Sequence, residues 1–135
     1  MSRTFASRFC VSRREKFQYY QNQIRDKILA GEIKEAEKII NGAYPELLDD
    51  DHMLHFSLQI QHLIELIRAS KIEEAVLFSQ DDIVEKGDYP ECHPELERAM
   101  GLMAYEKPEK SPFSDLLKPT YRLKVWTSVN EGTCF

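Results

Sequence analysis

Hydrophobic residues recur at the three- and four-residue spacing of amphipathic helices along most of this 135-residue chain. The pattern predicts helices over about 13–30, 33–41, 52–69, 72–85 and 119–130, and another with Pro94 in its first turn. Because glycine adopts the left-handed conformation that ends helices, Gly31 and Gly42 are expected to end the first two. Short connections between successive helices favour antiparallel helical hairpins, and we predict an all-α fold of helical-repeat type.

An internal repeat supports this arrangement. Residues 28–36 and 67–75 share the pattern Ile-x-Ala-x-x-Ile-x-Glu-Ala at an offset of 39 residues. Each copy spans a predicted helix–turn–helix joint, and repeats of this length are typical of stacked hairpins that present extended surfaces to partners. The residues predicted on the inner faces of the next two helices are Ile72, Ala75, Val76, Ser79, Ile83, Leu96, Ala99, Met100 and Met103.

The helix predicted over 52–69 is apolar on two sides. One stripe consists of Phe56, Ile60, Leu63, Ile64 and Ile67. Leu54 and Leu58 point the opposite way, with Gln61 and Glu65 beside them. Such a helix is usually buried between layers, and the alternative is that its second face binds a partner. Under that alternative, the protein-binding residues on an outward-facing surface are Leu54, Leu58, Gln61, His62 and Glu65.

Two connectors carry apolar residues that solvent would otherwise wet, namely Pro45–Asp49 and Ser111–Leu117. One interpretation is that they cover the core as local plugs. The other is that Phe113, Leu116 and Leu117 form part of a groove for a partner, with Trp126 of the last helix as a further contact.

Composition and charge narrow the functional class. Hydrophobic residues make up 42% and charged residues 30%, which is typical of a globular domain, and no apolar run approaches the ~20 residues of a membrane helix. The net charge of −5 combines +4 over residues 1–14 with −9 over the remainder. An acidic body argues against nucleic-acid binding, since phosphate contacts require Lys and Arg. Three widely spaced cysteines, Cys10, Cys92 and Cys134, do not make a disulfide framework.

No catalytic or cofactor motif is present in the sequence. It contains no Gly-x-Ser-x-Gly, no phosphate-binding glycine loop and no Cys-x-x-Cys pair. His52 and His55 are three residues apart, but His62 lies about 10 Å further along a helix, too far to bind the same ion. We predict a protein without catalytic activity, cofactor or metal, and a small enzyme or metal protein that uses these histidines is the alternative.

The first residues, Met1–Ser12, are rich in Ser and Arg, lack acids and place Phe5 and Phe9 four apart. These features occur in mitochondrial transit peptides, and they also arise by chance in short basic tails. A mitochondrial location is therefore a minor alternative.

Several segments resemble the CTLH domain when taken in order: Ile28–Ile33, Asn41–Asp49, Gln61–Arg68 and Glu73–Gln80. Ser111–Leu117 and Lys124–Asn130 resemble the first half of a CRA domain. The resemblance covers about Ile24–Asn130, and it is specific because the segments recur in order with similar separations. The family includes scaffold subunits of the GID/CTLH E3 ubiquitin ligase.

The resemblance implies an all-α, non-catalytic protein–protein interaction scaffold in such a ligase complex. The implied partners are RanBPM-like, RING-bearing and substrate-receptor subunits, so a hetero-oligomer is expected, with neither nucleic acid nor membrane as a partner. The implied locations are the cytoplasm and the nucleus.

The chain departs from the family pattern at both ends. The predicted organisation is a basic segment without a recognisable LisH motif over 1–23, a CTLH domain over 24–86 and a partial CRA domain over 87–135. Relatives carry a LisH motif and further CRA helices that together dimerise, and that unit is expected to be absent here. The alternative function is an orphan or dominant-negative fragment that binds one subunit without assembling the complex.

Overall fold

The computed structural model describes residues 13–83 and 93–133. Within them the chain forms helices and no strands, which confirms the predicted all-α class. The α-helices of this part are α1 Arg13–Leu29, α2 Ile33–Ala43, α3 Leu47–Asp50, α4 His52–Arg68, α5 Ile72–Phe78, α6 His93–Gly101 and α7 Pro119–Thr133. A π-helical turn, Ser79–Ile83, follows α5, and 3₁₀ turns occupy Leu102–Ala104, Pro108–Lys110 and Ser114–Leu117.

Helix α4 lies at the centre of the bundle. It contacts α2, α3, α5, α6 and α7, whereas α1 packs against α2 and α7. The side chain of Gln21 in α1 is hydrogen-bonded to that of Thr133 at the end of α7. At the C-terminal end of α1, the Arg122 guanidinium near the start of α7 donates to the carbonyl oxygen of Leu29 at 3.1 Å. These contacts make α1 and α7 antiparallel neighbours.

The core consists of two clusters on opposite sides of α4. The α1 cluster contains Ile24, Ile28, Ile33, Ala36, Ile40, Leu48, Leu54, Leu58, Val125 and Val129. The α6 cluster contains Phe56, Ile60, Leu63, Ile64, Ile67, Ala75, Phe78, Ile83, Ala99, Leu102 and Leu116. Because α4 contributes to both, the interpretation that this helix is buried between two layers is confirmed.

The α1 cluster also joins the two predicted domains. Val125 and Val129 of α7 belong to the predicted partial CRA segment, and they pack with Ile24 and Ile28 of α1. The predicted boundary between residues 86 and 87 lies outside the described residues. The helices on either side of it share one apolar core in the described part of the chain.

The repeated sequence forms two helix–turn–helix joints with the same backbone geometry. Residues 30–32 connect α1 to α2, and residues 69–71 connect α4 to α5. Gly31 and Ser70 occupy equivalent positions with φ angles of +83° and +61°. The 39-residue repeat is therefore a structural repeat as well as a sequence pattern.

Some predicted boundaries and faces differ from the structure. Gly42 does not end α2, which continues to Ala43, and the Tyr44 amide donates to the carbonyl oxygen of Ile40. The α-helix that begins at Ile72 ends at Phe78 instead of continuing to about residue 85. The π-helical turn after Phe78 changes the angular position of later residues, because it holds more residues per turn.

The connector at Pro45–Asp49 is partly helical. Its residues Leu47 to Asp49 fall within the short helix α3, and Leu48 is buried in the α1 cluster. The apolar side chain therefore covers the core, as the plug interpretation predicted.

Candidate protein-binding surfaces

Three of the five residues predicted on an outward-facing surface of α4 are buried. Leu54 is 3% exposed, Leu58 is fully buried and Gln61 is 1% exposed. The prediction that they face outward is wrong, because α1, α2 and α7 cover this side of α4 with the α1 cluster. Burial of a leucine side chain stabilises the fold by roughly 1.5–3 kcal/mol, so Leu54 and Leu58 serve the core of this chain.

Glu65, the fourth of these residues, lies in a network that joins three helices. Arg122 of α7 forms a paired contact with its carboxylate: Nε lies 2.9 Å from Oε2 and Nη2 lies 2.7 Å from Oε1. Gln61 donates to Oε2 at 2.8 Å, and Arg68 donates to Oε1 at 3.2 Å. Arg122 also donates to Leu29, so the network fastens the C-terminal end of α1 to α4 and α7.

The electrostatics of this network keep Glu65 ionised. Partial burial opposes the charged form, but hydrogen bonds from Arg122 and Gln61 and the positive charges of Arg68 and Arg122 outweigh it. The pKa of Glu65 is consequently below its ordinary value, and the pKa of Arg122 is raised by the same pairing. Because Glu65 is committed to this ion pair, its role in the structure is to hold helices together.

His62, like Glu65, remains partly accessible. Its ring lies edge-on to Phe78, with centroids 4.7 Å apart. The ammonium of Lys34 lies 4.9 Å from the centroid of the same Phe78 ring. His62 therefore lines a surface where α2, α4 and α5 meet.

The connector Ser111–Leu117 covers the α6 cluster. Leu116 is 1% exposed, and Phe113 and Leu117 are partly buried against the same cluster. Phe113 packs so closely on α6 that a Cβ added to Gly101 would lie 2.6 Å from its ring. The backbone oxygen of Leu117 accepts a hydrogen bond from Arg68. This geometry supports the plug interpretation for Phe113, Leu116 and Leu117.

A second polar cluster fixes this connector to the last helix. Arg98 donates to Asp115 at 2.8 Å, and the Tyr121 hydroxyl donates to the same carboxylate oxygen at 3.2 Å. The hydrogen bond from Arg98 is the main reason that the pKa of Asp115 is lowered. Trp126, the remaining predicted contact residue, is half-buried against the α1 cluster.

The sequence prediction missed an exposed apolar stripe on α5. Leu77 is 58% exposed, and Ile72 and Val76, predicted to face inward, are 39% and 36% exposed. The buried residues of this region are Ala75, Phe78, Ser79 and Ile83. Met100 of α6 is also exposed, contrary to prediction. Helical spacing did not predict which side of α5 is exposed, because apolar residues occupy most of the circumference of this helix.

Comparison with known families decides where the chain belongs. Residues 20–134 match the family described as the CTLH/CRA C-terminal to LisH motif domain. The chain belongs to this CTLH/CRA family. The match covers most of the sequence and agrees with the segments that resemble CTLH and CRA domains.

Individual relatives within the CTLH/CRA family are similar over about four fifths of the chain. The glucose-induced degradation protein 8 homolog of Nematostella vectensis is 41% identical over 109 residues, which are 80% of this chain and 48% of the relative. The protein of the same name from Dictyostelium discoideum is 38% identical over 110 residues, 81% of this chain and 48% of the relative. The Ran-binding protein M homolog of Arabidopsis thaliana is 31% identical over 111 residues, 82% of this chain and 24% of the relative. The chain spans about half the length of the first two relatives.

The described residues of this CTLH/CRA chain contain neither a metal-binding cluster nor a membrane-spanning helix. No group of three or more His, Cys, Asp or Glu side chains is arranged to hold a metal ion among residues 13–83 and 93–133. No helix in those ranges is long and apolar enough to cross a membrane. The three cysteines, Cys10, Cys92 and Cys134, lie outside the described residues, as does the basic segment Met1–Ser12 on which the minor alternative of mitochondrial targeting depends.

Proposed function

We propose that this chain is a non-catalytic scaffold module of a GID/CTLH-type E3 ubiquitin ligase complex, in which it binds other subunits. The observation that carries the proposal is the family match over residues 20–134, together with the similarity to glucose-induced degradation protein 8 homologs. In this proposal the chemistry of ubiquitin transfer belongs to partner subunits.

The surface of the bundle offers a contact site for such a partner. Ile72, Val76 and Leu77 on α5 are apolar and exposed. Leu77 also lines a hollow whose apolar walls are Leu66 and Phe78 and whose polar walls are His62, Lys71, Glu74 and Asp81. Exposed apolar side chains that are contiguous favour association, because covering them removes apolar area from water. We therefore place the subunit contact on α5 and the adjoining part of α4.

The proposed partners are RanBPM-like, RING-bearing and substrate-receptor subunits, which would give a hetero-oligomer. The similarity to a Ran-binding protein M homolog supports the first of these, because this chain shares a helical module with such a protein. We propose the cytoplasm and nucleus as the locations. A fluorescent fusion of the full chain that accumulates in mitochondria would contradict this.

A pulldown with a RanBPM-like subunit tests the proposal. The parent chain is compared with Leu77→Glu, which places a charge in the exposed α5 stripe without opening the core. Leu123→Glu on α7 is the matched control, because Leu123 is similarly exposed, at 51% against 58% for Leu77. Leu58→Glu is unsuitable, because it would bury a charge in the α1 cluster and unfold the chain.

We expect the parent and Leu123→Glu to bind and Leu77→Glu to lose binding while its circular dichroism stays unchanged. Failure of the folded parent to bind any of the three classes of subunit would refute the scaffold role. Binding without restored ligase activity in cells that lack the endogenous scaffold would instead favour the alternative of a dominant-negative fragment.

A further inference from the structure

A groove between α4 and α7 is distinct from the α5 stripe. Its first part is a hollow of about 210 Å³ whose floor includes Phe56, Ile60 and Leu116. The second part, a hollow of about 370 Å³, extends toward Asp51 and Glu131. The two hollows share Met53, Ser57 and Ser128 in their walls, so they form one continuous groove.

The floor of the first hollow is the line along which the two core clusters meet. Phe56, Ile60 and Leu116 come from the α6 cluster, and Val125 comes from the α1 cluster. Met53 stands on the rim and is 43% exposed. An apolar side chain that entered this hollow would cover Met53 and the accessible edges of the floor, which favours binding at ~25 cal/mol per Å² of area removed from water.

The rim of the groove is acidic. Asp51 and Glu131 line the second hollow, Glu95 lines the first, and Asp49 and Asp50 directly precede Asp51. In the described part of the chain, no ion pair involves any of these five carboxylates. Lys124 is the one cation among the described lining residues, and its ammonium lies 4.9 Å from the Tyr121 ring centroid. The lining of the groove therefore holds three carboxylates against one cation, although one of the three, Asp51, also caps α4 by accepting a hydrogen bond from the Leu54 amide at 3.0 Å.

A larger hollow lies at the helix–turn–helix joint between α1 and α2, and three of its charged side chains, unlike those of the groove, are already paired. It has about 530 Å³ and is lined by both charges, including Glu65, Arg68 and Arg122. These three side chains already bind one another, so a charged ligand would have to displace existing ion pairs. A cation that enters the groove between α4 and α7 does not have to displace an existing ion pair.

We propose that the groove between α4 and α7 binds a short linear peptide of a partner protein, one that carries an aromatic side chain flanked by arginine or lysine. The aromatic ring occupies the apolar hollow, and the neighbouring cation lies in the acidic hollow beside Asp51 and Glu131. The proposal rests on the proposed function only in treating the chain as a protein-interaction module. It does not require the partner to be a subunit that binds the α5 stripe.

The test measures binding of a fluorescein-labelled, amidated peptide, Arg-Arg-Ser-Phe-Ser-Arg, to the full chain by fluorescence anisotropy. Two control peptides carry Ala for Phe or Glu for each Arg. We expect each control peptide to bind at least about tenfold more weakly, because one loses the apolar anchor and the other meets like charge. Affinity for the parent peptide should fall as salt is raised, because the rim charges are exposed and screened.

Protein variants locate the site. Ser128→Arg places a long side chain in the wall that both hollows share and reduces the negative charge of the rim, and we expect about a tenfold loss of affinity. Glu131→Lys should weaken binding about fivefold, whereas Glu109→Lys, the same charge change outside the groove, should leave the affinity within about twofold of the parent. Thermal unfolding of each variant checks that the fold is retained.

The outcomes separate this proposal from the subunit contact. Leu77→Glu should keep peptide affinity while it loses the RanBPM-like subunit, and Ser128→Arg should show the reverse. Equal binding of the Phe and Ala peptides would reduce the effect to general charge attraction and overturn the proposal. If the double variant Arg3→Glu/Arg8→Glu bound the peptide more tightly than the parent, the groove would be the binding site of the chain's own basic segment. If the parent chain formed a dimer that Ser128→Arg disrupted, the groove would bind a second copy of the chain. Either result overturns the proposal.

Discussion

The two helix–turn–helix joints have the same backbone and different surroundings. Glu32 donates from its amide to the carbonyl oxygen of Lys27 at 2.9 Å, and Lys71 donates to that of Leu66 at the same distance. The equivalent central residues, Gly31 and Ser70, both have positive φ. These hydrogen bonds satisfy the last carbonyls of α1 and α4 in the Schellman arrangement. The short repeated sequence is thus sufficient to specify the turn twice.

The neighbours of the two joints differ. A Cβ added to Gly31 would lie 2.7 Å from both Arg122 Nη2 and Glu65 Oε1, whereas Ser70 is exposed to solvent. The first joint therefore needs glycine for its conformation and for space beside the ion pair. The second needs only a residue that tolerates positive φ. Local sequence determines the turn, and long-range packing determines how much each position tolerates.

Gly31→Ala has the largest expected effect. The left-handed conformation costs a residue with a Cβ about 1–2 kcal/mol, and the methyl group also displaces the paired Arg122 and Glu65 side chains. We expect a loss of about 3 kcal/mol in the free energy of unfolding, measured by urea denaturation. The matched control is Gly42→Ala, in a helix with no atom within 4 Å of the added Cβ, which should stabilise by about 0.5–1 kcal/mol. Equal effects at both positions would contradict this account.

Arg122→Met should lower the free energy of unfolding by about 2 kcal/mol, because it leaves the partly buried Glu65 carboxylate without its main partner. The double variant with Gly31→Ala sharpens the comparison. In the Met background, Gly31→Ala should reduce the free energy of unfolding by only about 1–2 kcal/mol, because a Glu65 side chain that Arg122 no longer holds can move away from the added methyl and backbone strain becomes the main cost. Strict additivity of the two changes would show that the added methyl does not act through the ion pair.

The pH dependence of stability gives an independent measure of the Glu65 network. The pKa of Glu65 is lower in the folded chain than its ordinary value of 4.5, so its stabilisation is fully present above pH 4.5. The stabilisation is lost as pH falls from 4.5 through the lower folded pKa. Glu65→Gln should be less stable than the parent at neutral pH and should show a smaller loss of stability below pH 4.5. Parallel pH profiles of the two proteins would contradict the assignment.

Ser70→Gly has the smallest expected effect and the opposite sign. Glycine relieves the cost of φ +61° but loses more backbone entropy on folding, so the net gain is about 0.5 kcal/mol. Thermal unfolding at neutral pH measures it, and a loss of stability would contradict the equivalence of the two joints.

Helical periodicity predicted most of the fold because most helices bury one continuous stripe. The same periodicity was ambiguous for Leu54 and Leu58. The sequence pattern of a second apolar face is the same whether that face packs on the chain's own helices or on a partner. The structure shows that α1 and α7 cover it.

Interactions between residues distant in sequence were not predictable in this way. Glu65 and Arg122 are 57 residues apart, and no local pattern pairs them. The exposure of Ile72 and Val76 was missed because apolar residues occupy most of the circumference of α5, so helical spacing does not show which of them face the core. The groove between α4 and α7 likewise depends on how two helices pack.

The proposed scaffold role requires the folded chain to associate with other subunits. Light scattering during size-exclusion chromatography of an equimolar mixture with a RanBPM-like CTLH/CRA fragment measures this association. We expect one species whose mass contains both chains, and separation into the two chains on substitution of Leu77→Glu. Two separate, folded species in the parent mixture would contradict it.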